Sequence, residues 1–286
     1  MITNNTKFLI IGLGTIGGSY AVGLKNRGYT VYGIDTDPET VQYAKENNMV
    51  TDAFCTVQPQ IVNSADVVVF AVYPHIFSNW VEEYQNLLKP GTLVTDVTGV
   101  KGCIVHKIQS MLRSDCEFIS AHPMAGSEKP GIKSSTDKIF NGANYIVVPT
   151  EKNTEKAITT CKQIGEILNF GRISELTVHE HDEMIGFVSQ LTHCIAVTLM
   201  TCNELDDTEK YTGDSFRDLT RIANINDVMW SELFLLNKDA LLHQMKLFTM
   251  EFARLERMLM ESDREGIQKM MIDSTKKRKL FDKTQK

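Results

Sequence analysis

The chain has little positive charge, and this limits the partners that it can have. Its 286 residues contain 30 lysines and arginines against 36 aspartates and glutamates, which gives a net charge of −6. Proteins that bind nucleic acid need a basic surface to neutralise phosphates, so this balance argues against nucleic acid as a principal partner. The one basic cluster, Lys276-Lys277-Arg278-Lys279, is typical of a solvated helix end.

The sequence also lacks a membrane address and a cysteine framework. The N-terminus shows no signal-peptide pattern, and no apolar stretch looks long enough to span a bilayer. The six cysteines form no Cys-x-x-Cys pair, which argues against disulfides or a metal site and indicates small buried residues in a reducing compartment. No internal repeat or low-complexity tract is present. We therefore expect a cytoplasmic globular protein with no membrane partner and no metal.

What the sequence does contain is a glycine motif, Gly12-x-Gly14-x-x-Gly17, directly after the apolar run of residues 8–11. Strand, motif, helix, second strand and acid follow in order, as in a dinucleotide-binding unit, whereas the glycines alone could be a turn in another α/β sheet. Gly12 permits the tight turn, and Gly14 lets a pyrophosphate approach the backbone. Gly17 lets the helix pack closely on the strand.

The residues around this motif indicate which dinucleotide binds. The amides that open the helix, at Thr15 and Ile16, face the phosphates with a favourable dipole. Asp35 ends the second strand, where a carboxylate accepts hydrogen bonds from the adenosine ribose hydroxyls. The same carboxylate would repel a 2′-phosphate, so the sequence predicts NAD rather than NADP.

Strands and helices alternate over residues 1–174 and predict a doubly wound, mostly parallel sheet of the Rossmann type. Segments 145–148 and 171–174 are expected to close this sheet. Ligands bind beyond the carboxyl ends of such strands, where Asp35, Thr98 and His122 fall. Val72 and Pro74, which follow another strand, are assigned to the cofactor side of the same crevice.

Residues 175–286 are predicted to form an all-helical second domain. Apolar residues recur there at alternating spacings of four and three, which is the pattern of a packed helix pair. Two interpretations remain open, packing within one chain and a seam between two subunits. The repeating residues are Leu241, Met245, Phe248, Phe252, Leu255 and Leu259.

Three clusters carry side chains suited to chemistry. His122 leaves a strand end within Ser120-Ala-His-Pro-Met-Ala-Gly126, and beside a nicotinamide it could accept a hydroxyl proton as hydride leaves the same carbon. Asp218 and Arg221 share a helix face, either as a surface ion pair or as a carboxylate-binding arginine held by an aspartate. His193 lies on an apolar helix, where a lone histidine is more often structural.

These motifs resemble those of the prephenate dehydrogenase family over nearly the full length of the chain. The resemblance rests on the glycine motif, on His122-Pro-x-x-Gly-Ser-Glu128, and on Phe216-Arg-Asp-x-Thr-Arg221-Ile-Ala with Trp230 nine residues later. It implies oxidation of prephenate at C4, transfer of hydride to NAD and loss of the ring carboxylate as carbon dioxide, giving 4-hydroxyphenylpyruvate for tyrosine biosynthesis. It also implies a homodimer formed by the helical domain.

The resemblance assigns roles to individual residues. His122 would be the catalytic proton acceptor, Arg221 would bind a substrate carboxylate, and Asp218 would orient Arg221. Many relatives carry serine at the position of Gly99, bonded to the catalytic histidine, and histidine at the position of Gln190. Thr98 then offers the nearest hydroxyl, and we expect it, or Ser127, to take the place of the serine. Further residues expected to line the pocket are Ser127, Glu128, His193 and Trp230.

Other functions remain open on the sequence. Arogenate dehydrogenase differs only by an amino group on the substrate side chain. A β-hydroxyacid or imine reductase shares the two-domain plan but typically places a catalytic lysine or aspartate in the second domain. An NAD-sensing regulator without catalysis would need no counterpart of His122 and Arg221, and the chain shows no DNA-binding motif.

Overall fold

The computed structural model describes residues 1–126 and 130–281 and begins with a six-stranded parallel sheet. Its strands are β1 (Lys7–Ile11), β2 (Thr30–Ile34), β3 (Asp52–Phe54), β4 (Val67–Phe70), β5 (Leu93–Asp96) and β6 (Glu117–Phe118). They lie in the order β3-β2-β1-β4-β5-β6. The order reverses between β1 and β4, so the crevice of this sheet opens there.

Helices cover both faces of the sheet because both faces of its strands are apolar. In β1, Phe8 and Ile10 join one core while Leu9 and Ile11 join the other, because successive side chains of a strand point to opposite faces of the sheet. The Rossmann-type, doubly wound prediction is thereby confirmed. The covering helices are α1 (Thr15–Asn26), α2 (Pro38–Glu46), α3 (Pro59–Ser64), α4 (Pro74–Tyr84), α5 (Val105–Met111) and α6 (Glu155–Ile167).

One predicted feature of the sheet was wrong. Segments 145–148 and 171–174 do not close the parallel sheet but belong to a second sheet of three strands. Its strands are β7 (Ser120–Met124), β8 (Asn144–Val148) and β9 (Arg172–Glu175), with β7 antiparallel to β8. A single residue separates the end of β6, in the first sheet, from the start of β7, in the second sheet. An apolar run shows that a strand is buried but does not show which strand it pairs with.

The start of α4 also differs from the prediction, and the difference affects the site. The residue pattern alone predicts a helix over residues 80–88, whereas α4 begins at Pro74 and ends at Tyr84. Proline suits a first helical position because its missing N–H would have no intrahelical acceptor there. Helix α4 therefore begins four residues after the end of β4 and points its N-terminus at the crevice.

After β9 the chain is helical, as predicted. Thr177 and Glu180 form a capping box that starts α7 (Val178–Ile185). Through a π-helical segment, Gly186–Leu191, the helix continues into α8 (Thr192–Thr201). The helices α9 (Asp214–Thr220), α10 (Asp227–Leu236), α11 (Lys238–Met260) and α12 (Arg264–Arg278) follow.

The continuous helix Val178–Thr201 contradicts one prediction. By length and composition this helix could cross a membrane. From the sequence, no apolar stretch is predicted to be long enough to do so. Polar residues interrupt the apolar run, and only the π-helical segment joins its two parts. The helix is largely uncovered in the single chain, since 28% of its apolar window is buried. Its exposed apolar side chains are Met184, Phe187, Val188 and Met200.

The chain divides into two compact units, Met1–Lys238 and Asp239–Lys286. The first contains both sheets and the helices up to α10. The second contains most of α11 together with α12. All six cysteines are free thiols, but only Cys161 is buried, so the prediction of six buried residues was wrong.

Candidate active site

The glycine motif has the backbone geometry of a phosphate-binding turn. Gly12 lies at φ +88°, and a Cβ there would meet the Ala71 carbonyl oxygen at 2.5 Å. A Cβ on Gly17 would overlap the Gly12 carbonyl oxygen, so α1 approaches β1 closely only with glycine at this position. A Cβ on Gly14 would meet nothing within 4 Å. Packing explains the first and third glycines, and the space beside Gly14 fits the approach of a pyrophosphate.

Asp35 and Asp37 have different surroundings. The Asp35 carboxylate accepts hydrogen bonds from the backbone N–H of Leu13 at 2.7 Å and of Asp37 at 3.0 Å. These bonds hold it against the glycine turn. The Asp37 carboxylate caps α2 by accepting from the N–H groups of Glu39 and Thr40. Asp35 is therefore the acid that faces the cofactor turn.

The other predicted cofactor residues lie around the same turn. Thr15 and Ile16 open α1, where the first N–H groups have no intrahelical acceptor. The Thr15 hydroxyl donates to the Gly131 carbonyl oxygen at 3.1 Å. Val72 reaches within 2.7 Å of the Cβ that Gly12 lacks. Pro74 is buried at the start of α4.

His122 does not leave a strand end, as the sequence predicted, but lies in the middle of β7, opposite Ile146 of β8. Its Nδ1 is 2.9 Å from Nε2 of His181, and its own Nε2 is 4.0 Å from where a Gly99 Cβ would stand. The residue is half-buried, desolvation lowers the pKa of its imidazole well below the ordinary value, and the proximity of His181 and of Lys101 lowers it further. The imidazole is therefore neutral near pH 7 and able to accept a proton.

The expectation that the Thr98 hydroxyl bonds the ring of His122 was wrong. That hydroxyl donates to Asp96 and accepts from the Lys101 ammonium at 3.3 Å. Lys101 also donates to Asp96 at 3.0 Å and to the Ala121 carbonyl oxygen at 2.7 Å. Both charged groups are fully buried, and the hydroxyl completes their hydrogen bonding. Thr98 therefore supports the backbone next to His122, and the ring partner is His181.

A second group of predicted residues meets on α8 and α10. The rings of His193 and Trp230 stack with centroids 3.7 Å apart. His193 Nδ1–H donates to the Ser189 carbonyl oxygen at 2.8 Å, which leaves Nε2 as an acceptor. Burial lowers the pKa of His193, and although the bond to Ser189 raises it, the charge of Arg221 lowers it further. Arg221 is therefore close enough to act on His193.

Helix α10 joins the two groups. Leu233 lies one turn after Trp230 and stands 3.8 Å from where a Gly99 Cβ would be, on the side of His122. Gln190 Nε2–H donates to the Leu233 carbonyl oxygen at 2.9 Å, and its Oε1 accepts from Asn237 at 2.7 Å. Leu233 and Nε2 of His122 therefore both lie beside Gly99, and Leu233 is carried by the same helix as Trp230.

Two further predicted residues are exposed in the single chain. Asp218 is exposed on α9, and Arg221 is exposed in the 3₁₀ turn that follows this helix. Ser127 and Glu128 lie outside the described residues. The residues that sequence reasoning missed are His181, Asp182, Lys101 and Asn237. Their only signal was an adjacent His-Asp pair near a helix start and a lysine shortly after a strand.

Chemically, the arrangement combines a dinucleotide turn, a neutral histidine in the middle of β7 and a cation beside an aromatic stack. It can hold an anionic organic substrate next to a nicotinamide and remove a hydroxyl proton from it.

Comparison with known proteins gives a consistent result. The family model described as "Prephenate dehydrogenase, nucleotide-binding domain" matches residues 20–170, and the model of the same family's dimerization domain matches residues 177–273. Prephenate dehydrogenase of Bacillus subtilis is 27% identical over 91% of this chain and 71% of its own. That of Lactococcus lactis is 28% identical over 96% of this chain and 77% of its own.

A solved structure extends the match to three dimensions. The crystal structure of prephenate dehydrogenase from A. aeolicus, in complex with hydroxyphenyl propionate and NAD+, has a TM-score of 0.87 and 28% sequence identity to this chain. The superposition covers 97% of this chain and 98% of that one.

Proposed function

The chain belongs to the prephenate dehydrogenase family of NAD-dependent oxidoreductases, and on that premise we propose that it converts prephenate to 4-hydroxyphenylpyruvate and carbon dioxide. The observation that supports this most directly is the neutral imidazole of His122, whose Nε2 lies beside Gly99, as does Leu233 of the helix that carries Trp230. An NAD-sensing regulator would have no need of a base in that position.

His122 accepts one proton during the reaction and returns it, so that no net proton is gained or lost. Its Nε2 takes the C4 hydroxyl proton as the carbonyl forms and the C4 hydride departs. Bound NAD supplies the hydride acceptor. The C1 carboxylate then leaves as carbon dioxide, and its bonding electrons aromatise the ring and charge the oxygen at C4. His122 can return its proton to that oxygen, so the histidine ends the cycle neutral. Aromatisation supplies the driving force, and the protein needs mainly to align the reactants.

The substrate carries two carboxylates, and we assign one of them to Arg221. The positive charge of Arg221 lowers the pKa of His193, which stacks on Trp230. A guanidinium also binds a carboxylate in a bidentate fashion. Asp218 would orient Arg221, and the residues proposed to line the pocket are Ser127, Glu128, His193 and Trp230. Asp35 would bind the ribose of the cofactor. The dinucleotide would be surrounded by the glycine motif and the residues next to it: Gly12, Gly14, Thr15, Ile16, Gly17, Val72 and Pro74.

A direct assay tests the reaction. Purified protein with NAD and prephenate should form NADH and release carbon dioxide in equal amounts, and the organic product should be 4-hydroxyphenylpyruvate. Arogenate in place of prephenate decides the main alternative. If arogenate is turned over and prephenate is not, the substrate proposed here is wrong although the reaction type stands. If NAD binds and neither substrate reacts, the catalytic reading fails.

Cofactor choice gives a prediction at Asp35. Asp35→Ser removes a charge-assisted acceptor from the ribose and the repulsion of a 2′-phosphate, so NAD should bind about 10-fold to 100-fold more weakly while NADP improves relative to it. Dissociation constants of both cofactors, from quenching of tryptophan fluorescence, measure this. Asp37→Ser is the matched control, because serine still caps α2. The assignment fails if only the Asp37 variant changes the preference.

We further propose that residues 1–174 form the dinucleotide-binding domain and that residues 175–286 form a helical domain for substrate binding and dimerisation. Two apolar surfaces support a homodimer. One is the uncovered helix Val178–Thr201. The other is the repeat on α11, where Phe248, Phe252 and Leu259 are 40%, 63% and 61% exposed in the single chain. Surfaces of this kind mark protein contacts.

The α11 repeat can be tested with a matched pair of substitutions. Phe252→Glu places a charge in the proposed seam and should yield monomers or unfolded protein. Met250 is exposed to a similar degree, 61%, but lies two residues away on the opposite side of the helix. Met250→Glu should therefore leave the mass unchanged. Light scattering after size exclusion gives the masses, and a Phe252→Glu protein with the wild-type mass would rule out this seam.

A further inference from the structure

His122 is the first member of a chain of three side chains. Its Nδ1 is 2.9 Å from Nε2 of His181, and Nδ1 of His181 is 2.7 Å from Oδ1 of Asp182. His181 is fully buried and Asp182 nearly so. Both residues lie in α7, and His181 is 59 residues from His122 in the sequence.

The direction of each hydrogen bond in this chain follows from the charge of Asp182. Burial raises the pKa of this carboxyl, but the bonds from His181 and from the amides of Gly102 and Lys101 outweigh it and lower the pKa overall. Asp182 is therefore an ionised acceptor, and His181 must donate to it from Nδ1. Burial also lowers the pKa of His181 despite the bond to Asp182, so the ring is neutral and its Nε2 has no proton.

It follows that the His122–His181 contact has one direction only. Since Nε2 of His181 can only accept, the proton of that contact resides on Nδ1 of His122. The remaining nitrogen of His122, Nε2, then carries a lone pair, and it is the nitrogen that faces Gly99. The opposite tautomer would present an N–H to the substrate hydroxyl and could not accept its proton.

We propose that His181 and Asp182 are positioning residues that hold His122 as the Nδ1–H tautomer with Nε2 as the base, an inference that rests on the function proposed above. They orient the imidazole where Gly99 supplies no hydroxyl. When His122 takes the substrate proton at Nε2, its Nδ1–H continues to donate to His181, and the negative charge of Asp182 lies beyond that ring. The proton itself stays on His122 until it returns to the product oxygen.

The surroundings of Asp182 suit such a role, because each of its polar atoms is held. Its Oδ1 accepts from the Lys101 N–H at 2.8 Å and its Oδ2 from the Gly102 N–H at 2.6 Å. Its carbonyl oxygen accepts from Asn237 at 2.9 Å. The carboxylate is therefore bonded to the loop after β5, and the backbone carbonyl of Asp182 to Asn237, which follows α10.

Two substitutions of similar size separate positioning from packing. His181→Leu fills the space but leaves Nδ1 of His122 without an acceptor, whereas His181→Gln restores an acceptor oxygen near the position of Nε2. We expect kcat to fall about 10-fold to 100-fold in the leucine variant, with KM and NAD affinity close to wild type, and most of the loss to be recovered with glutamine. His179→Leu, an exposed histidine of α7, is the control. Equal kcat values for the leucine and glutamine variants would overturn the proposal.

A spectroscopic measurement on the wild-type enzyme decides the tautomer even where a variant does not fold. The ring nitrogens of 15N-histidine-labelled enzyme distinguish protonated from unprotonated positions, and the signals of His122 are those missing from His122→Asn. We expect Nδ1 protonated and Nε2 unprotonated at pH 7.5. A protonated Nε2 in an enzyme that turns over prephenate would refute the positioning role of His181 and Asp182 and leave the function intact, whereas lack of turnover would refute the function itself.

Discussion

His122→Asn is expected to lower kcat by about 10² to 10⁴-fold, the usual contribution of a positioned acid–base group. Asparagine fits the space and can form a hydrogen bond, but it cannot accept a proton. NAD affinity should be unchanged, because the cofactor turn lies on other strands. Steady-state kinetics with prephenate, together with a cofactor titration, measure both effects. His106→Asn, at an exposed position of α5, serves as the control and should behave as wild type.

The same histidine sets the acid limb of the pH profile. A proton acceptor must start neutral, so kcat/KM should fall as the pH drops through the pKa of His122. Burial and the neighbouring His181 and Lys101 lower that pKa, while Asp182 lies beyond His181. The fall should therefore begin below pH of about 6.5, the value of an unperturbed histidine. A His122→Asn enzyme with near-normal turnover, or a wild-type enzyme already losing activity above that pH, would contradict the assignment.

Arg221→Ala is expected to raise the KM for prephenate strongly while leaving NAD affinity alone. Removing a charge-assisted contact to a carboxylate costs about 1.5 to 3 kcal/mol, which is about 10-fold to 100-fold in kcat/KM. Arg221→Lys should recover only part of the loss, because an ammonium keeps the charge and loses the bidentate geometry. Initial rates over a range of prephenate concentrations at saturating NAD measure these effects.

The adjacent arginine provides the control for this prediction. Arg217 lies four residues earlier and is paired with Asp214 at 2.6 Å on the exposed side of α9. Surface pairs of this kind contribute little, so Arg217→Ala should have near-normal kinetics. If Arg221→Ala loses NAD affinity as much as it loses prephenate affinity, the residue is structural and the carboxylate is bound elsewhere.

The sequence by itself determined the cofactor turn and the class of fold. Gly17 approaches Gly12 and Asp35 bonds Leu13, contacts within one local unit of strand, turn and strand, so their spacing is sufficient evidence. The period of the apolar residues likewise places Phe8 and Leu9 on opposite faces of β1. The residue pattern predicted the helical second domain, and the chemistry of the clusters together with the family motifs pointed to His122 and Arg221.

Only the tertiary structure decided how these parts meet. The partner of His122 is His181, a residue 59 positions away, and the sequence had favoured the hydroxyl of Thr98, which instead completes the buried pair of Asp96 and Lys101. The separate three-stranded sheet was missed for the same reason. Spacing and apolar periodicity report which side of an element is buried, whereas the partner of a buried polar group or of a strand depends on distant segments that come together only on folding.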